Sequence, residues 1–307
     1  PEQICITRDN VQVAVDGECP QWIALEVSSF QLHDTHDLVP TIGAMTNLAP
    51  DHLDRYATLA EYYADKDRLY LHATSTSFWV INGDDPEVER RAEGKAGERL
   101  RFSVRRKVDG WYDRETRALM LGGDRLLARD ELALFGDHNV ANALCASLIA
   151  RRAGAPLQQM REGLQSFQAL PHRMEPIRSV NGVLWINDSK ATNVASTLVA
   201  AQAMERPFVL LLGGRHKGEP YTALAAAGSH CRAVVAYGES RELIARDLGK
   251  VLPVVDAGTD FGQVLVEARR LAQPGDAVLL SPACSSYDMF QNYEDRGAQF
   301  RAAVEAL

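Results

Sequence analysis

Apolar positions along this chain follow two rhythms. Over 22–27, 42–47 and 78–81, short mainly apolar runs stand between polar clusters, the pattern of strands buried on both faces. Leu59, Tyr62, Tyr63, Leu69, Tyr70 and Ala73 recur at three- and four-residue spacing, which predicts a helix over 58–73. Residues 100–135 carry short apolar runs broken by Asp109-Gly110 and Gly122-Gly123, hairpin signals in a β-rich section. Ala- and Leu-rich stretches over 139–152 and 158–167 read as helices, and Pro171 punctuates a boundary.

Beyond that boundary the pattern becomes regular. Strands at 183–187, 208–212, 233–237, 253–255 and 277–281 alternate with Ala-rich helical stretches, which predicts a doubly wound parallel sheet. The expectation is therefore two α/β domains, 1–169 and 170–307, the first lacking its beginning. No internal repeat interrupts either.

Composition narrows the function. The 307 residues are 46% hydrophobic and 24% charged, enough for two cores. A net charge of −8 argues against non-specific nucleic-acid binding but permits anionic substrates at a locally basic site. Five dispersed cysteines without CxxC spacing suggest reduced thiols, a cytoplasmic protein and no structural zinc. No apolar run reaches the length of a membrane span, and no signal-peptide pattern opens the chain. Pro1 stands where Met would begin a protein, which reads as a cut inside a longer one.

Three predicted strands of the second domain run into polar clusters: Asp188-Ser-Lys190-Ala-Thr192, Gly213-Gly-Arg-His-Lys217, and Ser281-Pro-Ala-Cys-Ser-Ser286-Tyr-Asp. Lysines, hydroxyls and glycines at strand ends suit carboxylate or phosphate groups. Any one cluster reads equally as a solvated loop; three on one sheet edge read as a site. In the first domain, Glu26 stands at the end of one predicted strand and His52 beyond the next. They are either a capping glutamate and a loop histidine or a ligand pair for a divalent cation. Lys66 lies on the apolar stripe of its helix. It either snorkels to water or has its ammonium form disfavoured, leaving an amine able to attack CO₂ and form a carbamate. No G-x-x-x-x-G-K-[ST] or G-x-G-x-x-G phosphate cradle occurs.

Taken in order, Leu25-Glu-Val-Ser-Ser-Phe-Gln-Leu32, Asn47-Leu-Ala-Pro-Asp-His-Leu-Asp-Arg-Tyr56, Gly136-Asp-His-Asn139, Leu170-Pro-His-Arg-Met-Glu175, Trp185-Ile-Asn-Asp-Ser-Lys-Ala-Thr-Asn193, Leu210-Leu-Leu-Gly-Gly214 and Leu280-Ser-Pro-Ala-Cys-Ser-Ser286 resemble the Mur ligases, in particular their glutamate-adding branch. The resemblance implies a truncated central ATPase-type domain followed by a Rossmann-like doubly wound domain. It implies a cytoplasmic, monomeric, ATP- and Mg²⁺-dependent amide ligase of peptidoglycan precursor synthesis. The partners would be UDP-N-acetylmuramoyl-L-alanine, glutamate (D-glutamate expected) and ATP, with neither nucleic acid nor membrane. By position, Glu26, His52 and a carbamylated Lys66 would serve magnesium, and His52, Lys66 and Lys190 catalysis. Asn139, Arg173 and Asp188 would contact nucleotide. Ser28, Thr192, Lys217, Ser286 and Tyr293 would contact substrate, Tyr293 standing where the family often has Phe. The family's UDP-binding domain and P-loop have no counterpart here, so the chain alone is expected to be inactive. An L-glutamate-adding relative, another Mur or folylpolyglutamate-type ligase and a non-catalytic binding protein remain as alternatives.

Overall fold

A computed structural model describes residues 6–8, 11–13, 22–48 and 56–307. In chain order the first elements are β1 Ile6–Arg8, β2 Val11–Val13, α1 Ser29–Asp34, β3 Ile42–Met45, α2 Leu59–Asp67, β4 Phe78–Asn82, α3 Pro86–Ala92, β5 Glu98–Ser103, β6 Gly110–Asp113, β7 Ala118–Leu121 and β8 Asp124–Ala128. There follow α4 Asp137–Arg152, α5 Leu157–Ser166, β9 Glu175–Val180, β10 Val183–Asn187, α6 Val194–Gln202 and β11 Phe208–Gly213. The chain ends with β12 Cys231–Tyr237, α7 Arg241–Leu248, β13 Val254–Asp256, α8 Phe261–Leu271, β14 Ala277–Leu280 and α9 Tyr293–Glu305. Internal packing divides the chain into two units, Pro1–Trp111 with Leu144–Met160, and Tyr112–Ala143 with Arg161–Leu307.

One six-stranded sheet has the order β3-β4-β5-β6-β7-β8. Around its β3–β4 end, Leu32, Met45, Tyr62, Tyr63, Leu69, Tyr70, Trp79 and Ile81 form a core. Gly43 is required there, because a Cβ would lie 2.4 Å from the Trp79 ring. Helix α3 starts as its sequence dictates. Pro86 occupies the first turn, and the Asp85 carboxylate accepts from the Glu87 and Val88 amides.

Three local expectations are corrected. Residues 22–28 form no strand, and Trp22, Ile23 and Leu25 are 50%, 42% and 49% exposed. An apolar run becomes a strand only beside a partner edge and under a covering layer; among the described residues no strand pairs with it, and Val27 is the part that packs against the core. The helix expected to end at 73 stops at Asp67, followed by a single 3-10 turn, Arg68–Tyr70. There Arg68 turns back to donate to the Leu32 and Thr35 carbonyls at the end of α1. Asp109-Gly110 closes no hairpin. β5 and β6 pair in parallel, and the Asp109 carboxylate accepts from the Arg101 amide at 2.8 Å. Gly122-Gly123 does close the antiparallel β7–β8 pair.

The second six-stranded sheet has the order β13-β12-β11-β14-β10-β9. β10 to β14 are mutually parallel and β9 is an antiparallel edge. Every residue of β11 and β14 is buried, as central strands covered on both faces require. Alternation assigns the faces. Leu210 and Leu212 pack with Val194, Leu224, Ile244 and Leu248, whereas Val209 and Leu211 pack with Val264, Ala268, Phe300 and Val304. This is the expected doubly wound arrangement, plus one strand. Strand β9 carried its own signal: Asn181 and Gly182, with φ of 51° and 79°, form the two-residue turn into β10. Among the described residues no helix is long and apolar enough to cross a membrane.

Candidate active site

β14 lies between β10 and β11, so the loops leaving the carboxyl ends of these three strands run side by side. Backbone bonds lock them together. Asp188 N donates to Leu280 O (2.7 Å), Ala283 N to Ala191 O (2.9 Å) and Gly213 N to Pro282 O (3.0 Å). Arg215 and Ser285 exchange amide bonds in a small antiparallel bridge. Gly213 and Gly214 (φ 156° and 130°) allow this approach, since Cβ atoms there would meet Tyr237 O at 2.1 Å and Ser285 O at 2.3 Å. Lys217 Nζ donates to Thr192 Oγ1 at 3.3 Å. The three clusters read from the sequence thus occupy one edge, and Lys190 and Lys217 are both exposed there.

Asp188 is almost fully buried at this edge. Its carboxylate accepts from Met174 N (3.1 Å) and Ser281 Oγ (2.8 Å). Burial outweighs those bonds and the nearby Arg173 charge, and lifts the carboxyl pKa to about 7. The segment bearing Arg173 is fixed to the same edge, because Lys190 N donates to His172 O. Asn187 Nδ2 lies 3.1 Å from His172 Nδ1, 3.1 Å from Glu175 Oε2 and 3.2 Å from Gly297 O, and Arg301 pairs with Glu175. His172, Met174 and Ala283 adopt left-handed backbones with φ of 63°, 46° and 57°. Strain of this kind in non-glycine residues collects at functional sites.

Tyr293, at the start of α9, is half-buried. Lys190 Nζ stands 5.5 Å from its ring centroid and the His172 ring meets it edge-on at 6.1 Å. Ser286 is 2% exposed and its carbonyl accepts from the Met289 and Phe290 amides. Asn139 lies in the first turn of α4, where its Nδ2 donates to Phe135 O at 2.8 Å. Neighbouring Gly136 (φ 79°) packs against Ala203. The sequence reading missed Asn187, Glu175 and Arg296. Arg296 did leave a trace, since positions 296, 300 and 304 form the buried stripe of α9.

In the first unit, Glu26 is exposed on the irregular segment before α1. Ser28 caps α1, its hydroxyl accepting from Gln31 N at 3.2 Å. Lys66 is half-buried, its Nζ 5.7 Å from the Tyr62 ring centroid. His52 lies outside the described residues. Among the described residues no group of three or more His, Cys, Asp or Glu is placed to hold a metal ion. The Glu26 carboxylate suits a hard cation, whereas a Lys66 ammonium does not; the described residues alone make no magnesium set.

Two family descriptions match the chain in tandem. "Mur ligase middle domain" covers residues 10–150 and "Mur ligase, glutamate ligase domain" covers 172–284. The chain belongs to the Mur ligase family. Mur ligases are ATP-dependent peptide ligases that work with Mg²⁺. Curated relatives named UDP-N-acetylmuramoylalanine–D-glutamate ligase include those of Salinibacter ruber (41% identical over 93% of this chain and 64% of the relative) and Christiangramia forsetii (37%, 95% and 67%). That of Bacillus subtilis is 36% identical over 96% of this chain and 66% of the relative. The chain therefore spans about 64–67% of the length of these relatives. Among solved Mur ligases, Thermotoga maritima MurC superposes with a TM-score of 0.64 at 17% identity, covering 91% of this chain and 62% of that one. Acinetobacter baumannii MurF gives 0.62 at 18% identity, covering 87% and 60%. These likenesses establish the fold.

Proposed function

We propose that this chain forms the central and glutamate-binding parts of an ATP-dependent ligase that joins D-glutamate to UDP-N-acetylmuramoyl-L-alanine in peptidoglycan precursor synthesis, the glutamate-binding part beginning at residue 170. One observation carries the reading: the loops after β10, β11 and β14 share one edge that presents Lys190, Thr192 and Lys217 to solvent. The printed names of the curated relatives support the substrate.

In this reading the γ-phosphoryl group of ATP passes to the terminal carboxylate of the nucleotide-sugar substrate, giving an acyl phosphate and ADP. The glutamate amine then attacks the acyl carbon, and the tetrahedral intermediate collapses to the amide, expelling phosphate as the nitrogen loses its proton. Lys190 and Lys217 would hold carboxylates of the incoming glutamate, and Lys190 would also stabilise charge on the reacting centre. Thr192, Ser286 and Tyr293 would orient the amino acid. Asn139, Arg173 and Asp188 would contact the nucleotide, and Ser28 the acceptor substrate. Magnesium would be served by Glu26, His52 and a carbamylated Lys66, and supplies positive charge to phosphate oxygens. The ligase would act as a cytoplasmic monomer.

Calorimetry on the chain with D-glutamate, L-glutamate, diaminopimelate and lysine tests the reading. Saturable D-glutamate binding that Lys190→Ala weakens at least tenfold is expected. Preference for diaminopimelate or lysine, or D-glutamate binding untouched by Lys190→Ala and Lys217→Ala, would overturn it.

A further inference from the structure

Arg296 is wholly buried in α9, yet among the described residues no carboxylate lies within ion-pair reach of it. Arg91, Arg232 and Arg301, all less deeply placed, are charge-paired: Arg91 with Asp67 and Glu87, Arg232 with Asp276, and Arg301 with Glu175. A buried guanidinium facing only neutral acceptors is costly unless the surroundings use it. Here each of its three nitrogens bonds to one of two loops at the candidate site. Nε donates to Ser189 Oγ (2.9 Å), Nη2 to Ser189 O (2.8 Å) and Nη1 to Cys284 O (3.2 Å). Ser189 Oγ in turn donates to Tyr293 O at 2.8 Å. Gly214 from the third loop packs beside it, where an added Cβ would be 3.4 Å from Nη1.

We propose that Arg296 is a positioning residue, a clasp that fixes the loop carrying Lys190 to the loop carrying Ser286 and so sets the shape of the amino-acid subsite. The proposal deepens the glutamate-ligase reading and, in its ligand arm, rests on it. Ser189 sits between Asp188 and Lys190, and Cys284 lies two residues before Ser286. A shift of the clasp therefore moves exposed Lys190 on one loop and buried Ser286 on the other. Asp188 is less dependent on it, being held by Met174 N, Ser281 Oγ and Leu280 O. The planar five-donor fork is what the geometry uses: a lysine ammonium carries the same charge but cannot span Ser189 and Cys284 together.

The test compares the full 307-residue chain with its Arg296→Lys and Arg296→Ala variants. Amide hydrogen exchange is followed over 189–191 and 283–286, with β11 as the internal reference, beside calorimetry with D-glutamate and with ATP and magnesium. Both variants are expected to exchange at least tenfold faster in the two loops with β11 unchanged. They should bind D-glutamate at least tenfold more weakly while nucleotide affinity stays within threefold. Millimolar guanidinium, but not sodium chloride at equal ionic strength, should restore Arg296→Ala on both measures. Should Arg296→Ala fail to fold, Arg296→Lys carries the comparison alone. Wild-type loop exchange and D-glutamate affinity in Arg296→Lys would overturn the clasp. Absence of D-glutamate binding by the wild-type chain would instead count against the ligase reading, and loop exchange would still decide the clasp.

Discussion

Asp188 concentrates the electrostatics of the candidate site in one carboxyl group. Its pKa of about 7 is raised above the ordinary carboxylate value, so its contribution to stability is fully present below about pH 4 and is lost as pH rises through 7. Between pH 5 and 8, wild type should therefore lose about 2–3 kcal/mol relative to Asp188→Asn, whose amide never ionises. Urea unfolding of both proteins at the two pH values measures this, and a pH-independent difference would refute it. Gly213 makes a second, steric prediction. Gly213→Ala would drive a Cβ to 2.1 Å from Tyr237 O and should cost about 3 kcal/mol in the same assay. Neither effect could be read from the sequence. Asp188 was recognisable as a strand-end acid, but its raised pKa comes from burial that only the folded chain creates. Arg296 was hidden because residue type alone places arginine outside; only its position on the α9 stripe hinted otherwise.

Elements were legible where local pattern and tertiary surroundings agree. The strand–helix alternation after residue 171 foretold β10, β11, β12 and β14 because each lies in a sheet covered on both faces, and the hydrophobic run records that burial; β13 is a half-buried edge. Asn193, a residue type that favours the helix start, caps α6, its side chain accepting from Ser196 N. Residues 22–28 show the reverse: their apolarity is a request for partners, not a strand in itself. Caps offer a clean test at this scale. Asp85 accepts three amides, those of Leu48, Glu87 and Val88, and so ties α3 to the segment after β3. Asp85→Ala should lower stability by about 2 kcal/mol, whereas Thr58→Ala, which removes one cap bond to Glu61, should cost about 1 kcal/mol. Equal effects of the two, measured by thermal unfolding, would contradict this ranking.

At the scale of the molecule, amino-acid recognition and phosphate handling in the proposed reading draw on different stretches of sequence. The three loops at the second sheet supply a cationic edge from residues 188–217 and 281–286, while the 307 residues contain no glycine-rich phosphate loop. Supplied with ATP, magnesium, UDP-N-acetylmuramoyl-L-alanine and D-glutamate, the isolated chain should release no ADP above background; steady turnover in a coupled assay would refute this. The contorted backbones at His172, Met174 and Ala283 carry a further consequence. Glycine tolerates such torsions freely, and each replacement would relieve about 1 kcal/mol of strain, but Met174 and Ala283 are buried in the core and would lose packing in exchange. Selection of this chain for endurance at high temperature should therefore drift half-buried His172 alone toward glycine, loosening the mould its ring builds with Asn187 and Tyr293.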